Sequence, residues 1–401
     1  MQDILIISNY WHFFQEKSSS RYNSILDLFK NNYQNVELIT STFYHTNKNH
    51  RIIDDINSQN LKITLLDEPG YIKNVSFKRL YSHYIFQKNV LKYLKCRKKP
   101  DVIYLFVPPL GLGREIISFA KKNNIKVVID VLDLWPQAFE MVLPKRLKFL
   151  NFIFLPMKAQ ASYIYKNADA VVTVSETYSN LVDNFRNKQS RAHTLYIGTD
   201  INTNYSEYRS KDSFSNYVLA YAGTLGHSYD IPLVIRSLKY LRDNYGIDLT
   251  FHIYGDGPQA SSFKELAKEL QVNAIFYGRL DYDTMVQELQ NVDILVNPIV
   301  KGAAQSIINK HADYAKAGRA VVNTQNSDEY ISLLTSYNAG VSSNAGDVRQ
   351  LAENIKYLYD NPEMLKIFGD NQRKMAETLF DRKTTYLKLI DLIDTLLGDK
   401  S

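Results

Sequence analysis

Short apolar runs alternate with amphipathic stretches along the first half of the 401-residue chain. Runs of this length, rich in β-branched residues and bounded by polar residues, predict buried strands. The predicted strands are Ile4–Ser8, Val36–Thr40, Val102–Phe106, Val127–Ile129 and Ala170–Val174. Between them, Arg21–Asn31 and Leu112–Asn123 have the apolar spacing of helices. Strands that alternate with helices predict a parallel sheet with helices on both faces.

A second series of the same kind follows the polar stretch Asn202–Asn216, which is the natural linker. Its predicted strands are Val218–Ala222, Asp248–Tyr254, Ala274–Tyr277, Ile294–Asn297 and Ala320–Asn323, and its predicted helices are Pro232–Asn244, Ala260–Gln271, Asp281–Asn291 and Lys310–Ala317. The segment Leu365–Leu397 is also largely helical by its spacing.

The two series together predict an α/β fold of two doubly wound Rossmann-like domains, at residues 1–203 and 204–401. The last helix, near residues 375–401, is a candidate to cross back to the N-terminal domain. In open α/β sheets, ligands bind at the carboxyl ends of the strands. We therefore expect the loops of both domains to face a common cleft.

Composition narrows the class of protein. Hydrophobic residues make up 45% of the chain, which is ordinary for a globular protein. The only cysteine, Cys96, excludes an internal disulfide, and no residue pattern suggests a metal site. The start of the chain, Met1–Ser8, lacks the features of a signal peptide, and no apolar run is long enough to span a membrane. We therefore expect a cytoplasmic protein.

The net charge of +6 is unevenly distributed. Residues 1–200 hold 27 Lys and Arg against 17 Asp and Glu, whereas the remainder holds 21 against 25. A basic first half suits an anionic membrane surface or a phosphate-bearing substrate. No nucleic-acid recognition motif is present, so we expect no nucleic-acid partner.

Two loops of the first half contain candidate binding residues. Ser18, Ser19 and Ser20 precede a predicted helix, and with Arg21 they suit either an anion site or a simple helix cap. Asp133 and Trp135 follow a predicted strand, where a carboxylate can bind or deprotonate a sugar hydroxyl and an indole can stack on a sugar. The alternative for Asp133 is a cap on a helix that begins at Pro136.

Two glycine turns of the second half are candidates for phosphate binding. Gly223 and Gly226 allow the backbone to approach a phosphate closely, and Thr224 can donate a hydrogen bond. Tyr254 and Gly255 begin a second turn after a strand, which could line a nucleotide pocket. The alternative for both turns is a purely structural role.

The segment 301–318 is the richest candidate. Ala304, Gln305 and Ser306 leave backbone amides open near a helix start, which suits a diphosphate. Lys310 adds a positive charge, and Asp313 lies one turn further on the same side of the helix, where it can accept both hydroxyls of a ribose. The structural alternative is a solvated amphipathic helix that ends at Gly318.

In this order, the motifs resemble glycosyltransferase family 4, which has the GT-B fold. The resemblance covers nearly the whole chain and rests on residues 133–136, 168–175, 222–226, 254–258 and 309–318. It implies a retaining, metal-independent transferase without a cofactor, which moves a sugar from a nucleotide-sugar, expected to be a UDP-sugar, to a lipid-linked acceptor. Relatives build capsular polysaccharide, exopolysaccharide or lipopolysaccharide.

The chain departs from that family at several positions. Two glutamates usually precede the final glycine of the helix, and here those positions read Gln305 and Asp313. The usual Arg and Lys after the first glycine turn are missing, so Lys310 and Arg279 would have to neutralise the diphosphate. The resemblance thus implies catalytic roles for Asp133, Lys310 and Gln305.

Two alternatives accompany this interpretation. One is a catalytically silent GT-B subunit that activates a partner transferase, and the other is a nucleotide-sugar 2-epimerase. A further hypothesis concerns residues 145–158, which pair cations with large apolar groups as interfacial helices do. Through this segment the protein would lie peripherally at the inner face of the plasma membrane. The alternative is a helix packed on the first domain.

Overall fold

The computed structural model describes residues 2–13, 20–51, 60–137, 151–186, 191–201, 206–208, 217–302 and 306–398. The chain divides into two compact units, one made of Met1–Tyr196 with Lys383–Ser401 and the other of Ile197–Arg382. The boundary predicted at residues 203 and 204 stays a prediction, because residues 202–205 lie outside the described parts.

Within its described residues, the first unit contains one parallel sheet of seven strands and a short hairpin. The strands are β1 (Asp3–Ile7), β2 (Asn35–Ser41), β3 (Phe43–Tyr44), β4 (Asn49–His50), β5 (Leu61–Leu66), β6 (Val102–Val107), β7 (Lys126–Val131), β8 (Ala170–Thr173) and β9 (His193–Thr194). The sheet order is β5-β2-β1-β6-β7-β8-β9, and β3 pairs with β4. The central strands are buried on both faces, which explains why they are apolar throughout.

Helices cover both faces of this sheet. They are α1 (Arg21–Asn32), α2 (Phe77–Cys96), α3 (Leu110–Asn123), α4 (Leu155–Asn167) and α5 (Glu176–Asp183). Ser20 is the N-cap of α1, where its hydroxyl accepts from the Asn23 amide at 3.2 Å. This confirms the capping alternative for Ser20, whereas Ser18 and Ser19 lie outside the described residues.

Arg21 was expected beside an anion site or a simple helix cap, but the structure buries its side chain within the first unit. Its guanidinium is buried and makes two hydrogen bonds to Asp130, at 2.9 and 3.1 Å. It also donates to the Leu195 and Tyr196 carbonyls and to the Tyr386 hydroxyl. A buried charge needs such a full set of partners. Arg21 therefore ties α1 to β7 and to the C-terminal residues of this unit.

The second unit repeats the pattern. Its strands are β10 (Val218–Ala222), β11 (Thr250–Tyr254), β12 (Ala274–Gly278), β13 (Ile294–Asn297), β14 (Ala320–Asn323) and β15 (Gly340–Ser342). They form a parallel sheet in the order β12-β11-β10-β13-β14-β15. The first strand lies inside the sheet, and the chain runs to one edge before it crosses to the other, as in doubly wound folds.

Helices follow the strands of the second unit, and further helices form the C-terminal segment. They are α6 (Ile231–Tyr245), α7 (Ala260–Glu269), α8 (Tyr282–Gln290), α9 (Asn309–Ala317), α10 (Asp328–Tyr337), α11 (Val348–Asp360), α12 (Pro362–Met375), a π-helical turn (Ala376–Phe380), α13 (Arg382–Thr385) and α14 (Lys388–Gly398). None of the helices in the described ranges is both long and apolar enough to cross a membrane.

Candidate active site

Two glycine turns of the second unit pack directly against each other. Gly223 follows β10 and Gly255 follows β11, with φ of +149° and +143°. The Gly223 amide donates to the Tyr254 carbonyl at 2.9 Å, and the Gly255 amide donates to the Gly278 carbonyl at 2.7 Å. A Cβ on Gly255 would lie 1.9 Å from the Gly223 carbonyl oxygen, so a larger residue does not fit. The turns form one backbone surface at the carboxyl ends of adjacent strands.

Helix α9 brings Lys310 to this surface. A Cβ built on Gly223 would lie 3.0 Å from the Lys310 Nζ atom, which shows how close the amine is to the turn. Lys310 is only 7% exposed, and its Nζ has no hydrogen-bond partner among the described residues. The rings of Tyr221 and Tyr229 flank it, with Nζ 3.9 and 4.0 Å from their centroids. A buried amine between aromatic rings, with no acceptor, is arranged to receive an anion.

Burial lowers the pKa of Lys310 well below its ordinary value, and the negative charge of Asp313 opposes this shift. The free site therefore favours the neutral amine more than an exposed lysine would. A diphosphate beside the amine would favour the charged form again. Anion binding at Lys310 should consequently be coupled to proton uptake.

Asp313 lies one turn beyond Lys310 and is half-buried. Its Oδ1 accepts a hydrogen bond from the Tyr282 hydroxyl at 2.8 Å, and Tyr282 is also 2.7 Å from the Thr199 hydroxyl. The Lys316 amine lies 5.1 Å from the centre of the Tyr282 ring. The hydrogen bond from Tyr282 fixes the orientation of the Asp313 carboxylate at the surface of the helix.

The other predicted donor residues surround this centre in different ways. Thr224 is exposed, and its carbonyl accepts from the Tyr221 hydroxyl at 2.8 Å, while Gly226 lies further along the same turn. Arg279 is exposed and directly follows Gly278, whose carbonyl is bonded to the Gly255 turn. The structure thus places these residues at or beside the two glycine turns.

Tyr254 and Ser306 contact other protein groups. The Tyr254 ring is buried, stacks on Tyr277 at 5.0 Å, and its hydroxyl donates to Glu288 at 3.3 Å. The Ser306 hydroxyl donates to Glu329 at 3.3 Å. Tyr254 contributes to the glycine turn through its backbone carbonyl, which accepts from the Gly223 amide, and not through its ring. Ala304 and Gln305 lie outside the described residues.

A buried polar network, which the sequence did not reveal, holds the loop before α9. The Asn297 side-chain nitrogen lies 3.2 Å from His311 Nε2 and 3.0 Å from Gln325 Oε1. Gln325 in turn donates to the Ser306 carbonyl at 2.8 Å, and the Ile308 amide donates to His311 Nδ1. Burial lowers the pKa of His311 to about 3, so the ring is neutral at physiological pH. The network fixes the start of α9 and thereby the position of Lys310.

In the first unit, Asp133 and Trp135 lie next to Arg79. Asp133 remains accessible at the surface, and loss of solvent around it raises the pKa of its carboxyl, an effect that Arg79 opposes. Trp135 is buried, and the Arg79 guanidinium lies 5.1 Å from its ring centre. The ring face that was predicted to meet a sugar therefore contacts an arginine.

Arg79 belongs to an aromatic and basic cluster that the sequence did not single out. Arg79 donates to the Tyr10 hydroxyl at 2.7 Å, and that hydroxyl is 2.9 Å from His83 Nε2. Nearby, His45 Nδ1 lies 2.6 Å from the Tyr71 hydroxyl. Burial lowers the pKa of His83 to about 3 and that of His45 to about 4, so both rings are neutral at physiological pH. The positive charge here comes from Arg79 and from Lys48, whose amine lies 3.0 Å from His45 Nδ1. No sequence spacing relates these residues, which come together only through the sheet and α2.

The predicted interfacial segment 145–158 is only partly described. Residues 145–150 lie outside the described parts of the chain. Phe152, Ile153 and Leu155 are exposed, at the turn before α4 and at its first residue. The hypothesis for this segment therefore stays a prediction.

Comparisons with known proteins agree with this geometry. Residues 207–375 match the family model described as glycosyl transferases group 1. This region contains both glycine turns, Lys310 and Asp313. The second unit therefore carries a glycosyltransferase domain. No curated protein matches the sequence.

Solved structures similar to the whole chain define its fold. A sucrose-phosphate synthase from Thermosynechococcus elongatus superposes with a TM-score of 0.73 at 13% identity over 100% of both chains. The Anabaena protein HepE, in complex with UDP, gives 0.70 at 12% identity over 98% of this chain and 100% of its own. WaaG, a glycosyltransferase involved in lipopolysaccharide biosynthesis, superposes with a TM-score of 0.64 at 14% sequence identity, over 97% of this chain and 99% of its own. The α/β prediction is confirmed, and the protein is a glycosyltransferase of the GT-B fold.

Proposed function

We propose that this protein is a retaining glycosyltransferase that moves a sugar from a UDP-sugar to a lipid-linked saccharide in the synthesis of capsule, exopolysaccharide or lipopolysaccharide. The observation that carries the proposal is the buried Lys310 amine beside Gly223, which has no hydrogen-bond partner among the residues that the structure describes. HepE, which has the same fold, was solved in complex with UDP and with UDP-glucose, which supports UDP as the nucleotide.

In this proposal the second unit binds the donor. The Asp313 carboxylate accepts the ribose hydroxyls, and the diphosphate lies over Gly223 and Thr224 and the segment 304–306. Lys310 stabilises the negative charge that develops on the leaving diphosphate. No metal is needed for this role, because the ammonium group supplies the positive charge.

The first unit binds the acceptor. Asp133 accepts a hydrogen bond from an acceptor hydroxyl and orients it. Arg79, which lies over Trp135, is the cation available there for a phosphate on the acceptor.

The reaction breaks the bond between the sugar anomeric carbon and the diphosphate oxygen and forms a bond from that carbon to the acceptor oxygen. The acceptor proton passes to the leaving diphosphate on the same face of the sugar. The configuration is retained, and UDP is the second product. Gln305 would hydrogen-bond the sugar in this scheme.

Nucleotide binding tests the proposal. The purified protein is titrated with UDP, GDP, ADP and CMP without metal, by calorimetry and thermal shift. We expect binding of UDP, lost or at least about tenfold weaker in Asp313→Ala because two hydrogen bonds to the ribose disappear. Asp360→Ala, which removes an exposed carboxylate of α11, is the matched control and should bind normally.

Failure of every nucleotide to bind would contradict the proposed donor site. The silent-subunit alternative, which the comparisons do not favour, would then be the next hypothesis. If Asp313→Ala binds UDP normally, the protein has a nucleotide site, but Asp313 does not bind the ribose.

A second prediction concerns protons. The pKa of Lys310 is lowered in the free protein and should rise when the diphosphate binds. At pH values between the pKa of the free protein and the pKa of the complex, UDP binding should therefore take up a proton. The affinity should therefore fall as the pH rises through this window. Calorimetry in two buffers with different ionisation enthalpies measures the number of protons taken up. The uptake measured with Lys310→Met is subtracted, because it contains only the contribution of the nucleotide itself. Equal uptake in both proteins would contradict the prediction.

A further inference from the structure

Helix α2 and the turn before it expose a continuous group of large apolar side chains. Phe77, the first residue of the helix, is 89% exposed. The members of the group are Ile72, Val75, Phe77, Leu80, Tyr81 and Tyr84. Single exposed apolar residues are ordinary, but a contiguous group marks an interaction surface.

Packing within the first unit does not explain this group. The opposite side of α2 contributes Phe86, Val90 and Leu94 to the core, and these are fully or almost fully buried. The inner side alone therefore anchors the helix to the sheet. Among the residues that the structure describes, none covers the outer apolar side chains, which stay exposed.

The same outer side becomes basic further along the helix. Lys88 follows Tyr84 by four residues, and Lys92 and Lys95 continue at helical spacing, so they extend the line that begins at Phe77. All three lysines are exposed. We call these lysines and the six apolar residues the α2 face; it runs along a helix of 20 residues, about 30 Å in length.

The segment that carries this face has charges of one sign. Residues 69–100 contain nine Lys and Arg and no Asp or Glu. Such a segment attracts an anionic lipid surface, where each cation near the headgroups contributes about 1 kcal/mol. Apolar side chains in line with cations are the combination found in helices that lie in the membrane interface.

We propose that the α2 face docks the protein on an anionic membrane surface. The side chains around Phe77 enter the boundary between headgroups and acyl chains, and the lysines contact lipid phosphates. The inference deepens the proposed function and rests on it for its biological meaning, because a lipid-linked acceptor must be reached at a membrane. It adds α2 as a second candidate membrane contact beside residues 145–158.

The position of α2 supports this link. Arg79, on the same helix, points inward to Tyr10 and Trp135, and its charge acts on Asp133. One helix thus carries the lipid-facing side chains on its outer side and the candidate acceptor-binding arginine on its inner side.

Vesicle flotation tests the proposal. The full-length protein is mixed with vesicles of phosphatidylcholine containing about one third phosphatidylglycerol, or with phosphatidylcholine alone, at low and high salt. We expect binding to the anionic vesicles that weakens at high salt. The double variants Phe77→Ser/Leu80→Ser and Lys88→Glu/Lys92→Glu should each reduce the partition at least about tenfold.

Matched controls remove comparable groups from the second unit. Tyr357→Ser/Ile367→Ser removes two exposed apolar side chains, and Lys264→Glu/Lys268→Glu reverses two exposed charges. Both should float like the unchanged protein. Thermal unfolding of every variant excludes loss of the fold as the cause.

Absence of flotation with anionic vesicles would overturn the inference. So would flotation that persists in both α2 variants but is lost in Phe152→Ser/Ile153→Ser, since the contact would then lie before α4. UDP binding is measured on the same samples. Flotation without UDP binding would refute the proposed donor site alone, and UDP binding without flotation would refute only the membrane contact.

Discussion

Replacement of Lys310 with methionine is expected to lower kcat about a hundredfold or more, which is the usual effect of removing one group that stabilises transition-state charge. The buried amine has no hydrogen-bond partner within the described residues and lies beside Gly223. The measurement is the rate of UDP release from the UDP-sugar that the protein accepts.

The same variant should be at least as stable as the unchanged protein. Burial of an unpartnered amine is unfavourable, which is why the pKa of Lys310 is lowered. Methionine fills a similar volume and keeps favourable contacts with Tyr221 and Tyr229. We therefore expect the free energy of unfolding to rise by roughly 1–3 kcal/mol in urea titrations.

Lys316→Met is the matched control, because Lys316 is a second buried lysine on α9 and lies over Tyr282. It should retain a rate within about threefold of the unchanged protein, since Tyr282 still donates to Asp313. A less stable Lys310→Met protein with normal kcat would show that Lys310 is a structural residue.

The strands were the most predictable part of the molecule. Val218–Ala222, Ile294–Asn297 and Ala320–Asn323 were predicted with the bounds that the structure has. Central parallel strands are buried on both faces, so they are apolar runs that end where polar residues begin. The edge strands β5, β9 and β15 were missed. They are only partly buried, and β9 and β15 are just two and three residues long.

Helix α2 was missed for a related reason. It has apolar residues on two sides, and lysines interrupt the pattern, so no single apolar stripe stands out. Such a pattern is unusual for a helix that only packs on a sheet. The apolar residues and lysines on the outer side of α2 therefore explain both why the helix was not predicted and why we propose that it contacts a membrane.

The residues of the candidate donor site could be predicted from the sequence, but their burial could not. The glycine turns and the order of Lys310 and Asp313 follow from the sequence. The burial of Lys310 does not, because it depends on Tyr221 and Tyr229 from distant positions in the chain. Arg21 shows the same limit, since its partner Asp130 lies 109 residues away.

Substitution of Gly255 with alanine should disrupt the donor site and the fold of the second unit together. The new Cβ would lie 1.9 Å from the Gly223 carbonyl oxygen, and φ at this position is +143°. Because the obstacle is backbone, neither turn can yield without losing the hydrogen bond from Gly223 to Tyr254. We expect a loss of about 3–5 kcal/mol in the free energy of unfolding and no UDP binding.

Gly278→Ala separates the steric clash from the cost of positive φ. Gly278 has φ of +76°, and nothing lies within 4 Å of the position of a new Cβ, although its carbonyl accepts from Gly255. This variant should lose only about 1–2 kcal/mol and should still bind UDP. Equal stability of the two variants, measured by urea unfolding, would show that the close approach of the two turns is not required. If Gly255→Ala is the less stable variant and fails to bind UDP while it is still folded, the backbone contact between the turns is what shapes the donor site.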